Sequence, residues 1–200
     1  MTSIYDRDHS GVKVITDFLP ADLRIELLDY FNSLPRSGPD PQIGFHRIPL
    51  KYNEVEQDML MCRHHSGLPM EKLIKQYLEL RNGPELSEYI PPVDLDKLYV
   101  VTNLYLAGSK GITPHRDLKT CENLVAVYVL YGDAPFYTKH GAHEIAYPAP
   151  SNSLILMRAA RCPEEQNMRP VHLIKPMTSE RCVVVFREEP KEYQVWSSPK

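Results

Sequence analysis

The chain has no stretch approaching the roughly 20 apolar residues that a membrane span requires, and its start, MTSIYDRDHSGVK, has no apolar leader-like core. Its four cysteines (Cys62, Cys121, Cys162 and Cys182) show no C-x-x-C spacing, which argues for a reduced intracellular protein with Cys182 in the core. Cytoplasm is the expected compartment, and the nucleus stays open. Charge of one sign is also missing: 23 Lys and Arg against 26 Asp and Glu give a net charge of −3 and a pI near 6.2. This excludes a global pull toward nucleic acid or anionic membrane, but not a local basic groove. There is a single tryptophan, Trp196, and neither an internal repeat nor a low-complexity segment.

What is present fits one ordinary globular domain across residues 1–200, long enough to bury a core without staples. Eighteen prolines, nearly double the usual share, predict rigid turns and sharply ended elements. Residues 1–10 are polar and expected to fray. Val12–Ile15 reads as a short strand. Leu23, Leu27, Phe31 and Leu34 recur every three or four residues and predict an amphipathic helix over 20–34, with Asp17 as a nearby cap. Met70, Leu73, Ile74, Tyr77 and Leu78 predict a second helix over 69–81, ended by Asn82-Gly83-Pro84. Between them, residues 36–67 lack sustained periodicity and read as a loop-rich substrate lid.

From residue 97 the period shortens. Segments 97–106, 123–130, 136–138, 144–146, 153–157, 170–174 and 181–187 are short, rich in β-branched and aromatic residues, and bounded by Gly, Pro or Ser. Two helices followed by about seven strands predict a mainly β, α+β protein in which helices back a β-sandwich or small barrel.

The sharpest local feature is Pro114-His115-Arg116-Asp117. In an extended segment, residues two apart project to one face, so His115 and Asp117 can reach the same metal. His172 follows 55 residues later at the head of another apolar strand. Two histidines and one carboxylate leave three positions open, which suits non-haem Fe(II) that also binds oxygen and a chelating substrate. Alone, H-x-D is a weak signal, and a turn histidine bonded to its neighbour is the bland alternative. Context comes from the last apolar strand, where Arg181 and Arg187 share a face with Val183 and Val185. Arginine inside a barrel calls for an anion, and a dicarboxylate co-substrate offers the bidentate geometry; rim arginines paired with Glu180, Glu188 or Glu189 are the alternative. Asn103 and Tyr105 share one strand face and need polar partners, either a ligand or a backbone carbonyl.

As an ordered set, Asn103-x-Tyr105, the glycine-containing turn at Gly108 and Gly111, His115-x-Asp117, Ser153–Met157, His172 and Arg181-x5-Arg187 resemble the AlkB-like branch of the Fe(II)/2-oxoglutarate dioxygenases. The match covers residues 97–187. The spacing from His172 to Arg181, with Pro176 between, also resembles the prolyl-hydroxylase branch. The resemblance implies a double-stranded β-helix (a jelly-roll or cupin-like barrel) with supporting N-terminal helices. It implies iron on His115, Asp117 and His172, and the distal carboxylate of 2-oxoglutarate on Arg181, assisted by Tyr105 and Asn103. Arg187 would lie near the chelating end of the co-substrate or near Asp117. With O2, the family reaction releases succinate and carbon dioxide and oxidises a C–H bond. Halogenating relatives replace the carboxylate with a small residue, so Asp117 implies an oxidising enzyme.

Two departures bear on the substrate. Lys119 stands where AlkB-type demethylases commonly carry a second acidic residue, and Trp196 lies beyond the barrel. A substrate-facing aromatic would have to be Phe45, His46 or Tyr52 in the lid, and Arg158 and Arg161 read as solvated loop residues, with contact to an acidic substrate group as the alternative. The basic residues Arg36, Lys51, Arg47 and Arg63 are scattered and form no phosphate track. His64, His65, His140 and His143 read as surface histidines. Three functions follow: an oxygenase acting on a small molecule or peptide, an AlkB-type nucleic-acid N-demethylase, and a non-catalytic cupin-like binding module.

Overall fold

The computed structural model describes residues 10–36, 44–48, 51–52, 54–63, 67–160 and 163–190. Two helices behave as their spacing predicts. Helix α1 (Ala21–Ser33) buries Leu23, Leu27 and Phe31, and helix α2 (Leu68–Arg81) buries Met70, Leu73, Tyr77 and Arg81. Pro20 occupies the cap position of α1 with no side-chain cap bond, so Asp17 does not serve there. Asn82 and Gly83 end α2, and the one-turn helix α3 (Pro84–Ser87) follows.

Among the described residues, the remaining chain forms thirteen strands in two antiparallel sheets. In chain order they are β1 (Val12–Ile15), β2 (His46–Arg47), β3 (Lys51–Tyr52), β4 (Val55–Asp58), β5 (Leu60–Cys62), β6 (Leu98–Tyr105) and β7 (Gly111–His115). Then come β8 (Glu122–Tyr131), β9 (Phe136–His140), β10 (His143–Tyr147), β11 (Ser153–Arg158), β12 (Val171–Ile174) and β13 (Arg181–Glu188). The major sheet runs β1-β11-β8-β13-β6-β5-β2 and the minor sheet β10-β9-β12-β7-β4-β3. From β6 onward the chain alternates between them: β6, β8, β11 and β13 lie in the major sheet, with β7, β9–β10 and β12 between them in the minor one.

Strand alternation sorts side chains into two cores. On β13, Cys182, Val184 and Phe186 pack against the helices with Leu27, Phe31, Met70 and Leu73. Its Val183 and Val185 face the other way, with Val101, Val125, Val129 and Ile155 of the major sheet and Ile112, Phe136 and Ile174 of the minor sheet. Tyr77 of α2 stacks on Phe186 with ring centroids 4.4 Å apart and planes at 10°, a contact worth about 0.5–1.5 kcal/mol beyond its buried area.

Residues 36–67 depart from expectation. The described part is no structureless lid but four short strands built onto the barrel: β5 extends the major sheet beside β6, and β4 extends the minor sheet beside β7. Strands of two to four residues are too short to show a period. The strands expected from sequence also omit Gly111–His115, which forms β7.

The helix side contains a charge pair with almost no water. Arg81 donates through Nε and Nη2 to the two carboxylate oxygens of Glu188 at 2.5 and 2.9 Å, and their side chains are 0% and 2% exposed. Pro91 carbonyl accepts a further bond from Arg81, and Asn123 donates to Glu188. Removing one partner of such a pair strands a charge in the interior. Arg81→Met should therefore destabilise the fold by about 3–5 kcal/mol in urea denaturation. The double variant Arg81→Met/Glu188→Leu should recover most of that loss; equal destabilisation by both would refute the ion-pair account.

Candidate metal and co-substrate site

His115 closes β7 and His172 is the second residue of β12, and the two are direct partners in the antiparallel ladder. Their rings lie 4.2 Å apart, centroid to centroid. Each imidazole is anchored the same way: Nδ1 of His115 lies 2.8 Å from the Thr113 carbonyl, and Nδ1 of His172 lies 3.3 Å from the Pro170 carbonyl. A carbonyl only accepts, so Nδ1 donates in both rings and Nε2 is the atom each has left to offer a metal. Burial and the adjacent His172 pull the His115 pKa down to about 4, which keeps that ring neutral near pH 7.

Asp117 lies beyond the end of β7. Its Oδ2 is 3.6 Å from His172 Nε2 and its Oδ1 is 3.3 Å from Arg187 Nη2. Burial alone would raise its pKa, but His172, Arg187 and His115 outweigh burial and hold it below the usual carboxylate value. One ligand atom from each of His115, Asp117 and His172 falls within 4.8 Å of the others. Two imidazoles and one carboxylate are a donor set suited to a divalent transition metal with positions left open.

These residues line a cavity of about 260 Å³ between the sheets, which also receives Arg181, Tyr105, Asn103 and Arg187. Arg181 opens β13 opposite Tyr105 of β6 and is fully buried. Its Nη1 donates to the Ala134 carbonyl, while Nε and Nη2 meet no partner among the described residues. Those two atoms form one edge of the guanidinium, the same edge by which Arg81 grips Glu188. A buried fork without an acceptor is costly and fits a carboxylate. Burial, only partly opposed by Arg181, pushes the Tyr105 phenol up to about 12, so it is neutral and able to donate. Asn103 Oδ1 is also without a partner. The closeness of β8 and β13 here requires Gly132 (φ +93°), where a Cβ would sit 2.8 Å from Arg181 Cα and Cβ.

Of the substrate-facing residues expected from sequence, three lie elsewhere. Phe45 is buried on the helix side, 6.2 Å from the Phe31 ring. Arg158 follows Leu154 and Leu156 in the alternation of β11 and is buried, donating to the Met168 carbonyl instead of reaching the cavity. His46 pairs with Met61 at the sheet edge but does not line the cavity. The Tyr52 backbone lies on edge strand β3, and its side chain falls outside the described residues, as do His64, His65, Arg161, Cys162 and Trp196. His140 and His143 are exposed where β9 meets β10, as expected. Sequence reasoning missed Met59, Met61, Tyr99, Leu118 and Glu189, all of which line the cavity. For Tyr99 the parity with Asn103 and Tyr105 was the available signal.

No family model matches the sequence, and no curated protein matches it. Solved structures do match in shape. A prolyl hydroxylase from Trichoplax adhaerens, in complex with a hypoxia-inducible-factor oxygen-degradation-domain peptide, superposes with a TM-score of 0.65 at 14% identity, covering 98% of this chain and 91% of its own. A Pseudomonas putida prolyl-4-hydroxylase gives 0.62 at 15% identity over 90% and 93%. A viral collagen prolyl hydroxylase from Paramecium Bursaria Chlorella virus-1, in a 2-oxoglutarate complex, gives 0.60 at 13% over 88% and 94%. The fold of this chain is the double-stranded β-helix that these hydroxylases share.

Proposed function

We propose that the protein is an Fe(II)- and 2-oxoglutarate-dependent oxygenase that hydroxylates a C–H bond of a peptide or small-molecule substrate. One observation carries this reading: the unfilled Arg181 fork opens into the same cavity as the His115–Asp117–His172 donor set. A binding module with a fortuitous triad would have no use for a second, anion-seeking site beside it. The structural neighbours, prolyl hydroxylases including one in a 2-oxoglutarate complex and one with a peptide, support the same class.

His115, His172 and Asp117 would hold the iron. Arg181 would grip the distal carboxylate of 2-oxoglutarate, with Tyr105 donating and Asn103 orienting. When bound, the pair supplies the oxidative chemistry that releases succinate and carbon dioxide and oxygenates the prime substrate. The chain's own part is to orient and to exclude water: Val125, Val127, Met157 and Val185 give the cavity an apolar wall beside the metal ligands. Nucleic-acid demethylation is the weaker alternative. Of the four scattered basic residues, Arg36 pairs with Glu180 at 2.6 Å and Arg47 with Asp58 at 2.9 Å, which leaves still less for a phosphate track.

Iron and 2-oxoglutarate with candidate peptides should yield succinate, whereas methylated oligonucleotides should neither be turned over nor compete. Alanine at His115, Asp117 or His172 should abolish turnover in a folded protein; wild-type succinate production by all three would refute the metal assignment. Arg181→Met should weaken 2-oxoglutarate binding about 10- to 100-fold by calorimetry, the loss expected for a charge-assisted pair. Unchanged affinity would show that the carboxylate sits elsewhere.

A further inference from the structure

We propose that Arg116 and Arg169 form a reciprocal main-chain latch that positions Asp117 for the metal. The inference rests on the metal reading above and adds two positioning residues to it. His115 and His172 are fixed by the strand ladder and by their Nδ1 bonds, but Asp117 is two residues past the end of β7 and outside that ladder. Residues 169 and 170 likewise precede β12, after a short 3-10 helix (Pro163–Met168). Each of these segments is tied to the other. Arg169 Nη1 donates to the Asp117 carbonyl, and Arg116 Nε donates to the Arg169 carbonyl at 3.0 Å. Arg158 of β11 pins the preceding residue through the Met168 carbonyl at 3.1 Å.

The latch brings two cations together. Arg169 is 8% exposed, with the Arg116 charge nearby and the Asp117 charge opposing it. A buried guanidinium beside a like charge is unfavourable unless its bonds do something that a neutral side chain cannot. Here those bonds set the distance between the chain carrying Asp117 and the chain leading into His172. Neither arginine is a ligand, and neither needs to touch substrate for this role.

Two effects of removing Arg169 oppose one another. Losing a positive charge near the ion favours metal binding, whereas losing a group that orients a ligand typically costs 10- to 100-fold. The latch requires that position win. Nickel(II) calorimetry on the full chain is the test, with cobalt(II) absorption reporting coordination geometry. Arg169→Met should bind nickel about 10-fold or more weakly than wild type, with an altered cobalt spectrum and little change in the melting temperature of the metal-free protein. Arg116→Met, at an exposed position, should weaken nickel in the same direction and serves if Arg169→Met does not fold. Folded variants that bind nickel as tightly as wild type or tighter, with an unchanged cobalt spectrum, overturn the latch alone. A wild-type protein that binds neither ion overturns the metal reading and the latch with it.

Discussion

Strand β13 is buried on both faces, and this one constraint organises the molecule. Each charged group on it must find a partner without water. On the helix face Glu188 finds the Arg81 fork, and that pair ties helix α2 to the centre of the major sheet. On the barrel face Arg187 finds Asp117, which couples the strand to the metal-ligand set. Arg181 presents its fork to the cavity with no acceptor among the described residues. The same side-chain edge is closed by protein in one case and faces the cavity in the other. That contrast, within one chain, is the strongest internal argument that the cavity binds a carboxylate.

Legibility in the sequence followed the length of the elements. The parity of β13, eight residues long, was enough to put Arg181 and Arg187 on the barrel face, and the structure places both there. The helices, with apolar residues every three or four positions, were readable to within a residue or two. Strands β2 to β5 were not, because two to four residues carry no period, and the prolines and polar residues around them suggest a loop. Phe45 was misplaced for a related reason. An aromatic in an unpatterned segment can face either core, and here Phe31 of α1 offers the nearer one. Arg158 was misplaced although its parity was available: it alternates with Leu154 and Leu156, which face the helices.

The metal-ligand geometry shows how much of a site strand structure can preorganise and where it stops. Both histidines sit in extended backbone, and in each the Nδ1 proton bonds the carbonyl two residues earlier. One local pattern, used twice on paired strands, therefore orients both imidazoles into the same cavity without any dedicated loop. The carboxylate cannot be supplied that way, because the ladder ends at His115. It depends on groups from distant parts of the chain: Arg187 at one carboxylate oxygen, His172 near the other, and Arg169 at its carbonyl. With Oδ1 engaged by Arg187, the oxygen turned toward the histidines is Oδ2. Asp117 would then have Oδ2 free to offer a metal, while Arg187 keeps Oδ1 occupied.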